Sequence, residues 1–346
     1  MKDQILILFN LSSDLDDPIF TSSVAWVGEL STRFNQVIVY SVHLGRVPTI
    51  KNVTWRQIGG GNFSKRIRGV YRLTAATYAA FANRKSIVIF HYMNHKTLVY
   101  PGIIFRLMGV RQILWYAHAS KTLMLYIAEK IAITIVTSSK TAFPIRSKKI
   151  VEIGQALTVN VKEFAVPIWK ERISGIVSLA RVSKAKYLEN AILGIALSNF
   201  KNVSFSNIGP INDLKYQEQL LKSAKQNSVT CVFENAMTQH DALNKIGQYK
   251  YYYSGTAKAV DKAAVEAAGL GCLIITTNIN LQEMLGLDNE FRNRGIEFNI
   301  AKQIDWYMSL PDNESSLLSD RIKDEVHRNL SLISVISRLE KVLRGL

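Results

Sequence analysis

The sequence predicts an α/β protein made of two doubly wound domains, and three observations carry that expectation. Short apolar runs alternate with helical patterns through nearly the whole chain, which implies parallel sheets with helical crossovers. The alternation breaks once, over residues 159–174, and then restarts. With 346 residues, 48% of them hydrophobic, the chain is longer than one ordinary core requires.

In order, the first half shows the run QILILFN, the helical pattern VAWVGELSTRF and the run QVIVYSV; SIVIF, RQILWYA and AITIVTS follow, separated by helical stretches. The break, VNVKEFAVPIWKERIS, carries a proline and mixed charge and is read as the interdomain linker. The second half then repeats strand and helix: GIVSLA, YLENAILGIALSN, VSFSNIG, LKYQEQLLKSAK, VTCVF, HDALNKIGQ, YKYYYS, AVDKAAVEAAGLG and CLIITT. The domains are placed at residues 1–162 and 173–325. The tail DRIKDEVHRNLSLISVISRLEKVLRGL reads as one long helical pattern, and its last part, 326–346, is expected to pack back across both domains. Open α/β sheets bind ligands beyond the carboxyl ends of their strands, so a site is expected in a cleft between the domains.

Composition narrows the function. Cys231 and Cys272 both lie in apolar, strand-like runs, so no disulfide framework is indicated and a reducing compartment is expected. The opening MKDQILILFNLSSDLDD reads as a core strand rather than a signal peptide. The most apolar segments are interrupted by Arg106 or by glycines, well short of the roughly 20 residues needed to cross a bilayer. A cytoplasmic protein is expected, with room for a peripheral position at the inner face of the membrane.

The net charge of +16 is unevenly spread. Residues 1–160 hold 20 Lys and Arg against 7 Asp and Glu, whereas residues 161–346 hold 23 against 20. The first half should therefore face an anionic partner. No nucleic-acid module is recognisable and the aromatic residues fall in core-like runs, so nucleic acid is not the expected partner. A nicotinamide dehydrogenase would place G-x-G-x-x-G after its first strand, where this chain has FNLSSDLDDP.

Chemistry concentrates in the second half. Arg181 ends a predicted strand and Lys184 and Lys186 follow in the loop, a placement of cations that suits a diphosphate and is shared by an ordinary solvated basic loop. Farther on, a strand runs into Gly255 and Thr256 and a helix is expected directly after them, with its N-terminal N–H groups available to a phosphate. On that helix Lys258, Lys262 and Glu266 are spaced by four and share a face, with Asp261 on an adjacent one. A Lys262–Glu266 surface pair would add only a few tenths of a kcal/mol, about 0.3. The small residues of AAVEAAGLG, however, pack a helix tightly on a sheet and leave Glu266 little room as a surface residue; a carboxylate there can bind the vicinal hydroxyls of a ribose.

The order of these units, strand–Arg–loop–Lys–helix, a strand ending in Gly209, and EAAGLGCLIITT, resembles retaining GT-B glycosyltransferases of the large family 4 type. The resemblance implies two Rossmann-like domains facing a central cleft, and a sugar moved from a nucleoside-diphosphate sugar with its anomeric configuration retained. It implies that Arg181 and Lys186 bind the donor diphosphate, that Gly209 lets the nucleotide approach the backbone, and that Glu266 binds the ribose. The family usually carries a second glutamate where this chain has Lys258, a departure that bears on the donor sugar or on activity itself. A sugar-nucleotide epimerase of the same architecture, or a non-catalytic GT-B protein, would share most of these features. Beyond the donor substrate no cofactor is implied.

In the first half, His118 sits at the carboxyl end of the run ILWYA, and the resemblance implies a histidine on this side of the donor sugar, in the catalytic position. The expected acceptor is a glycan, a lipid-linked glycan or a glycolipid precursor. Asp14-Leu15-Asp16 forms a DxD pattern, read as a loop or helix-start element rather than a metal site. After Gly59-Gly60-Gly61, Lys65, Arg68 and Arg72 share a helical face while Ile67, Val70, Tyr71, Tyr78 and Phe81 suggest another; such a helix can lie on an anionic membrane, or be amphipathic with a solvated basic face.

Overall fold

A computed structural model of the chain describes residues 4–17, 21–59, 63–83 and 86–346, with the side chains at 21 and 63–66 outside the description. The chain divides into two compact units, Met1–Gly154 with Leu332–Leu346, and Gln155–Ser331.

The first unit is built on seven strands: β1 (Ile5–Ser13), β2 (Gln36–Leu44), β3 (Val53–Gln57), β4 (Ile87–Tyr92), β5 (Arg111–Trp115), β6 (Thr134–Thr137) and β7 (Ile150–Glu152). They form one parallel sheet in the order β3-β2-β1-β4-β5-β6-β7. Helices α1 (Thr21–Ser31), α2 (Phe63–Ala82), α3 (His95–Leu107) and α4 (Leu123–Ile131) connect them. Right-handed crossovers place α1 on one face and α2, α3 and α4 on the other, with α3 packed between α2 and α4. Covered on both faces, the central strands are buried almost throughout, which is why β1 and β4 read as continuous apolar runs. Trp26 of α1 is buried among the rings of Phe90, Tyr92 and Trp115. His91 is a core residue: stacked on Phe9 and bonded to Thr97 and Gln112, it has its pKa pushed down by burial to about 3.

The second unit carries β8 (Ile173–Leu179), β9 (Phe205–Ile208), β10 (Cys231–Glu234), β11 (Tyr249–Ser254) and β12 (Leu273–Thr276), parallel and in the order β10-β9-β8-β11-β12. Helices α5 (Leu188–Leu197), α6 (Leu214–Gln226), α7 (Gln239–Ile246), α8 (Lys262–Gly269), α9 (Ile279–Met284), α10 (Asp288–Arg294), α11 (Ile300–Ser309) and α12 (Asp312–Asn329) complete it. The chain leaves β8 toward β9 and β10, then returns to β11 on the opposite side. The carboxyl ends of β8 and β11 are therefore a topological switch point, where such sheets form a ligand crevice. In the first unit the equivalent point lies between β1 and β4.

Two expectations about segment boundaries give way to packing. The stretch read as a linker belongs to the second unit: Leu157, Val161 and Trp169 are buried in its core, and the change of unit falls at Gly154–Gln155. The tail is two helices rather than one. Helix α12 stays in the second unit, and α13 (Leu332–Arg344) belongs to the first. The interruption at Leu330–Ser331 has a physical cause, because the Leu330 carbonyl accepts from the Leu157 amide at 2.7 Å and Ser331 bridges Leu157.

Helix α13 buries Val335, Ile336, Leu339 and Leu343 along one stripe and packs on α1. Glu340 joins Arg33 at 2.9 Å and Arg344 at 2.8 Å, while Arg338 donates to the Ile153 carbonyl at 2.9 Å. The first unit is thus completed by the last residues of the chain. Leu339→Ala should destabilise it by about 2–5 kcal/mol, seen as an earlier transition in urea followed by tryptophan fluorescence; an unchanged transition would mean that α13 is not part of its core.

Candidate active site

At the switch point of the second unit, the loop after β8 meets the loop after β11. Gly255 has no side chain because none fits: a Cβ there would overlap the Lys186 carbonyl oxygen and crowd the Tyr253 hydroxyl. The next residue, Tyr187, adopts a left-handed conformation (φ 47°, ψ 43°), and its carbonyl accepts from the Tyr253 hydroxyl at 2.6 Å. A non-glycine residue in that region is strained, and the tyrosine hydrogen bond offsets the strain.

These contacts set Lys186 over the second loop. Its ammonium donates to Thr256 Oγ1 at 3.1 Å and to Asp261 Oδ2 at 3.3 Å. Ser254 and Thr256 donate to the same carboxylate oxygen, at 3.2 and 3.1 Å. Arg181 and Lys184 lie in the exposed part of the first loop, with no partner among the described residues. Gly209, at φ 150°, closes the neighbouring strand end; a Cβ there would overlap the Ala180 carbonyl just before Arg181. Its bare backbone therefore serves the approach of two chain segments.

The structure corrects the helix start. Helix α8 begins at Lys262 and is capped by Asp261, which accepts from the Ala263 amide at 3.3 Å. Lys258 consequently lies in an exposed loop and shares no helical face with Lys262 and Glu266; likewise no helix N-terminus directly follows Gly255 and Thr256. The cause is Asn278, which donates to the Thr256 and Ala259 carbonyls at 2.8 and 2.9 Å and so takes acceptors that an earlier helix would need. Asn280 holds the Lys258 carbonyl in the same way, at 3.3 Å.

Glu266 is only 2% exposed. Its Oε1 accepts from Gln239 Nε2 at 2.8 Å and pairs with Lys262 Nζ at 3.3 Å. Burial raises its pKa above the usual carboxylate range, Lys262 opposes that shift and Asp261 adds to it. Gln239, Asn278 and Asn280 were not singled out from the sequence. Gln239 opens a helix capped by Thr238, a pattern that reveals the helix but not its reach to Glu266.

In the first unit, His118 lies exposed in the loop just beyond β5. Its Nδ1 accepts from the Ser120 amide at 3.1 Å. His95 contacts Thr122 on the same loop, and burial followed by Lys96 lowers its pKa. The Asp14 and Asp16 carboxylates are committed locally. Asp16 forms a two-pronged pair with Arg46, and Asp14 accepts from the Asp16 and Arg46 amides.

Helix α2 does not bury its large apolar residues, as an ordinary amphipathic helix with a solvated basic face would. It buries its smallest residues, Gly69, Ala76 and Ala80, while Ile67, Val70, Tyr71, Tyr78 and Phe81 are exposed. Gly69 lies so close to the Ile58 carbonyl that a Cβ would overlap it, which explains why the small face is the buried one. Arg72 is half-buried and donates to the Gln57 carbonyl; Arg68 is exposed beside it. The Lys65 side chain, with Gly60 and Gly61, lies outside the described residues.

No family model and no curated protein matches this chain. Solved structures resemble it over nearly its whole length. HepE of Anabaena, determined with UDP and glucose, gives a TM-score of 0.68 at 13% identity, covering 99% of this chain and 100% of the other. A glycosyltransferase of Rickettsia africae gives 0.69 at 12% identity, covering 99% and 98%. The lipopolysaccharide outer core galactosyltransferase WaaB gives 0.66 at 12%, covering 99% and 100%. Identities this low speak for the fold alone, and with the two parallel sheets they show it to be GT-B.

Two substitutions separate the parts of this site. Gly255→Ala should displace the Lys186 loop and lower the thermal stability of the second unit by about 1–3 kcal/mol; normal stability would show that the close approach is not required. Glu266→Gln acts on pH dependence. Since burial keeps the folded carboxyl protonated to higher pH than in the unfolded chain, the stability linked to that proton is present at low pH and lost as pH rises through the raised pKa. The variant removes this loss, so its melting temperature at pH 8 should equal or exceed wild type; a clear drop there would make Glu266 a structural ion-pair partner.

Proposed function

We propose that the chain is a glycosyltransferase whose donor, a nucleoside-diphosphate sugar, binds at the switch point of the second unit. The observation that carries this reading is the meeting of three features at the switch point: Arg181 and Lys184 with side chains exposed, Lys186 held over the second loop by Thr256 and Asp261, and the buried carboxylate of Glu266 on the adjoining helix. Guanidinium and ammonium groups match the charge of a diphosphate. Glu266 Oε2, outside the contacts that Oε1 makes, would accept from the ribose hydroxyls.

In the proposed reaction the acceptor hydroxyl oxygen bonds to the anomeric carbon, the bond from that carbon to the diphosphate oxygen breaks, and the acceptor proton passes to the departing diphosphate. Arg181 and Lys186 stabilise the negative charge that grows on the leaving group. This route retains the anomeric configuration, as the family 4 resemblance implies, and uses neither a metal nor a further cofactor. His118, exposed beyond β5, is assigned to the sugar or the acceptor hydroxyl, and Lys258 to the phosphates or to an acidic sugar. The acceptor, a glycan or lipid-linked glycan, is assigned to the basic first unit. HepE was determined with UDP-glucose, which supports UDP as the first nucleotide to examine.

A thermal-shift screen of UDP, GDP, ADP and CMP with their common sugar conjugates tests the reading, run on wild type and on Arg181→Ala. A ligand at a hundred times its Kd stabilises the native state by about 2.7 kcal/mol. One nucleotide should raise the wild-type melting temperature and lose most of that effect in Arg181→Ala; no shift with any of them would overturn the assignment of the donor site.

A further inference from the structure

The first unit presents a surface that its donor chemistry does not use. Along α2, Ile67, Tyr71 and Tyr78 form an outward stripe, and along α3, Tyr100, Ile103 and Leu107 form another. These are large side chains in the open: Tyr71 and Tyr78 are 74% exposed, Tyr100 67% and Leu107 83%. Between the helices lies a groove of about 570 Å³ lined by residues that include Val70, Leu73, Tyr100, Ile104 and Met108. The exposed Leu123 and Tyr126 extend the same layer onto α4. A contiguous apolar face of this kind marks a contact surface.

Charge identifies what would cover it. From Glu29 to Glu129 the sequence contains no intervening Asp or Glu, yet it contains 14 Lys and Arg. The outward face of α3 itself carries Lys96 and Arg106 between its apolar residues, both exposed. A second copy of this chain would bring like charge against like. An anionic, apolar-centred partner satisfies both properties at once, and a bilayer with acidic headgroups is such a partner: aromatic and aliphatic side chains enter the headgroup–acyl boundary while cations remain at the phosphates. We propose that the outer face of the α2–α3–α4 layer docks on an anionic lipid bilayer, with the apolar stripes inserted and the cations at the headgroups. This extends the sequence expectation that α2 can lie on an anionic membrane to a face shared with α3 and α4. It stands apart from the donor-site reading, since none of these residues belongs to that site.

Among the described residues no helix is long and apolar enough to cross a membrane, so the contact would be peripheral. The test is co-sedimentation of the full chain with vesicles of phosphatidylcholine containing about one third phosphatidylglycerol, compared with pure phosphatidylcholine. Wild type should sediment with the acidic vesicles and not with the neutral ones. Tyr78→Ser with Leu107→Ser should lower the bound fraction about tenfold at unchanged melting temperature and unchanged UDP affinity. Lys96→Glu with Arg106→Glu, which leaves the apolar stripes intact, should abolish the preference for acidic vesicles, and serves if the first pair misfolds. The proposal is overturned if wild type ignores acidic vesicles, or if both pairs of substitutions bind them as wild type does. It is equally overturned if light scattering shows a wild-type dimer that Tyr78→Ser with Leu107→Ser dissolves.

Discussion

The Lys186 carbonyl rests on the bare backbone of Gly255, and the candidate site depends on that contact. It joins two loops that are distant in sequence, forces Tyr187 into a left-handed turn secured by Tyr253, and fixes where the Lys186 ammonium emerges. Any side chain at residue 255 would push the loops apart and separate the cations from the helix that carries Glu266. A minimal residue thus sets the spacing of charges, because backbone approach tolerates far less variation than a long lysine side chain does.

Within that frame Asp261 does two things. It caps α8, and it gathers Lys186, Ser254 and Thr256 onto one carboxylate oxygen. In the proposed complex a diphosphate would compete with this carboxylate for Lys186. Glu266, in contrast, is buried and held by Gln239 and Lys262, a rigid acceptor rather than a competitor. The two carboxylates differ because one caps the helix among side-chain donors, and the other sits in the second turn, buried.

How far the sequence shows this depends on the range of the interactions. The alternation of buried strands and helices is local and periodic, so two parallel sheets could be read directly, as could the positions of Arg181, Lys186 and Glu266 relative to strand ends. The start of α8 could not, because it is decided by Asn278, far along the chain, taking the Thr256 and Ala259 carbonyls. The break between α12 and α13 could not, because Leu157 makes it. In α2 the sequence leaves the rotation of the helix open. Small residues compete with large apolar ones for the sheet, and Gly69, Ala76 and Ala80 win because close approach brings more backbone and Cβ contact than a tyrosine could, which leaves the aromatic stripe outside. Periodicity finds a helix and its stripes but does not say which stripe faces inward.

The most direct measurement is a crystal structure of the chain with UDP. The account predicts the diphosphate within hydrogen-bonding distance of Arg181 and Lys186, the Lys186–Asp261 pair opened, and the ribose hydroxyls on Glu266. A diphosphate bound elsewhere, with the Lys186–Asp261 pair intact and Glu266 untouched, would contradict it.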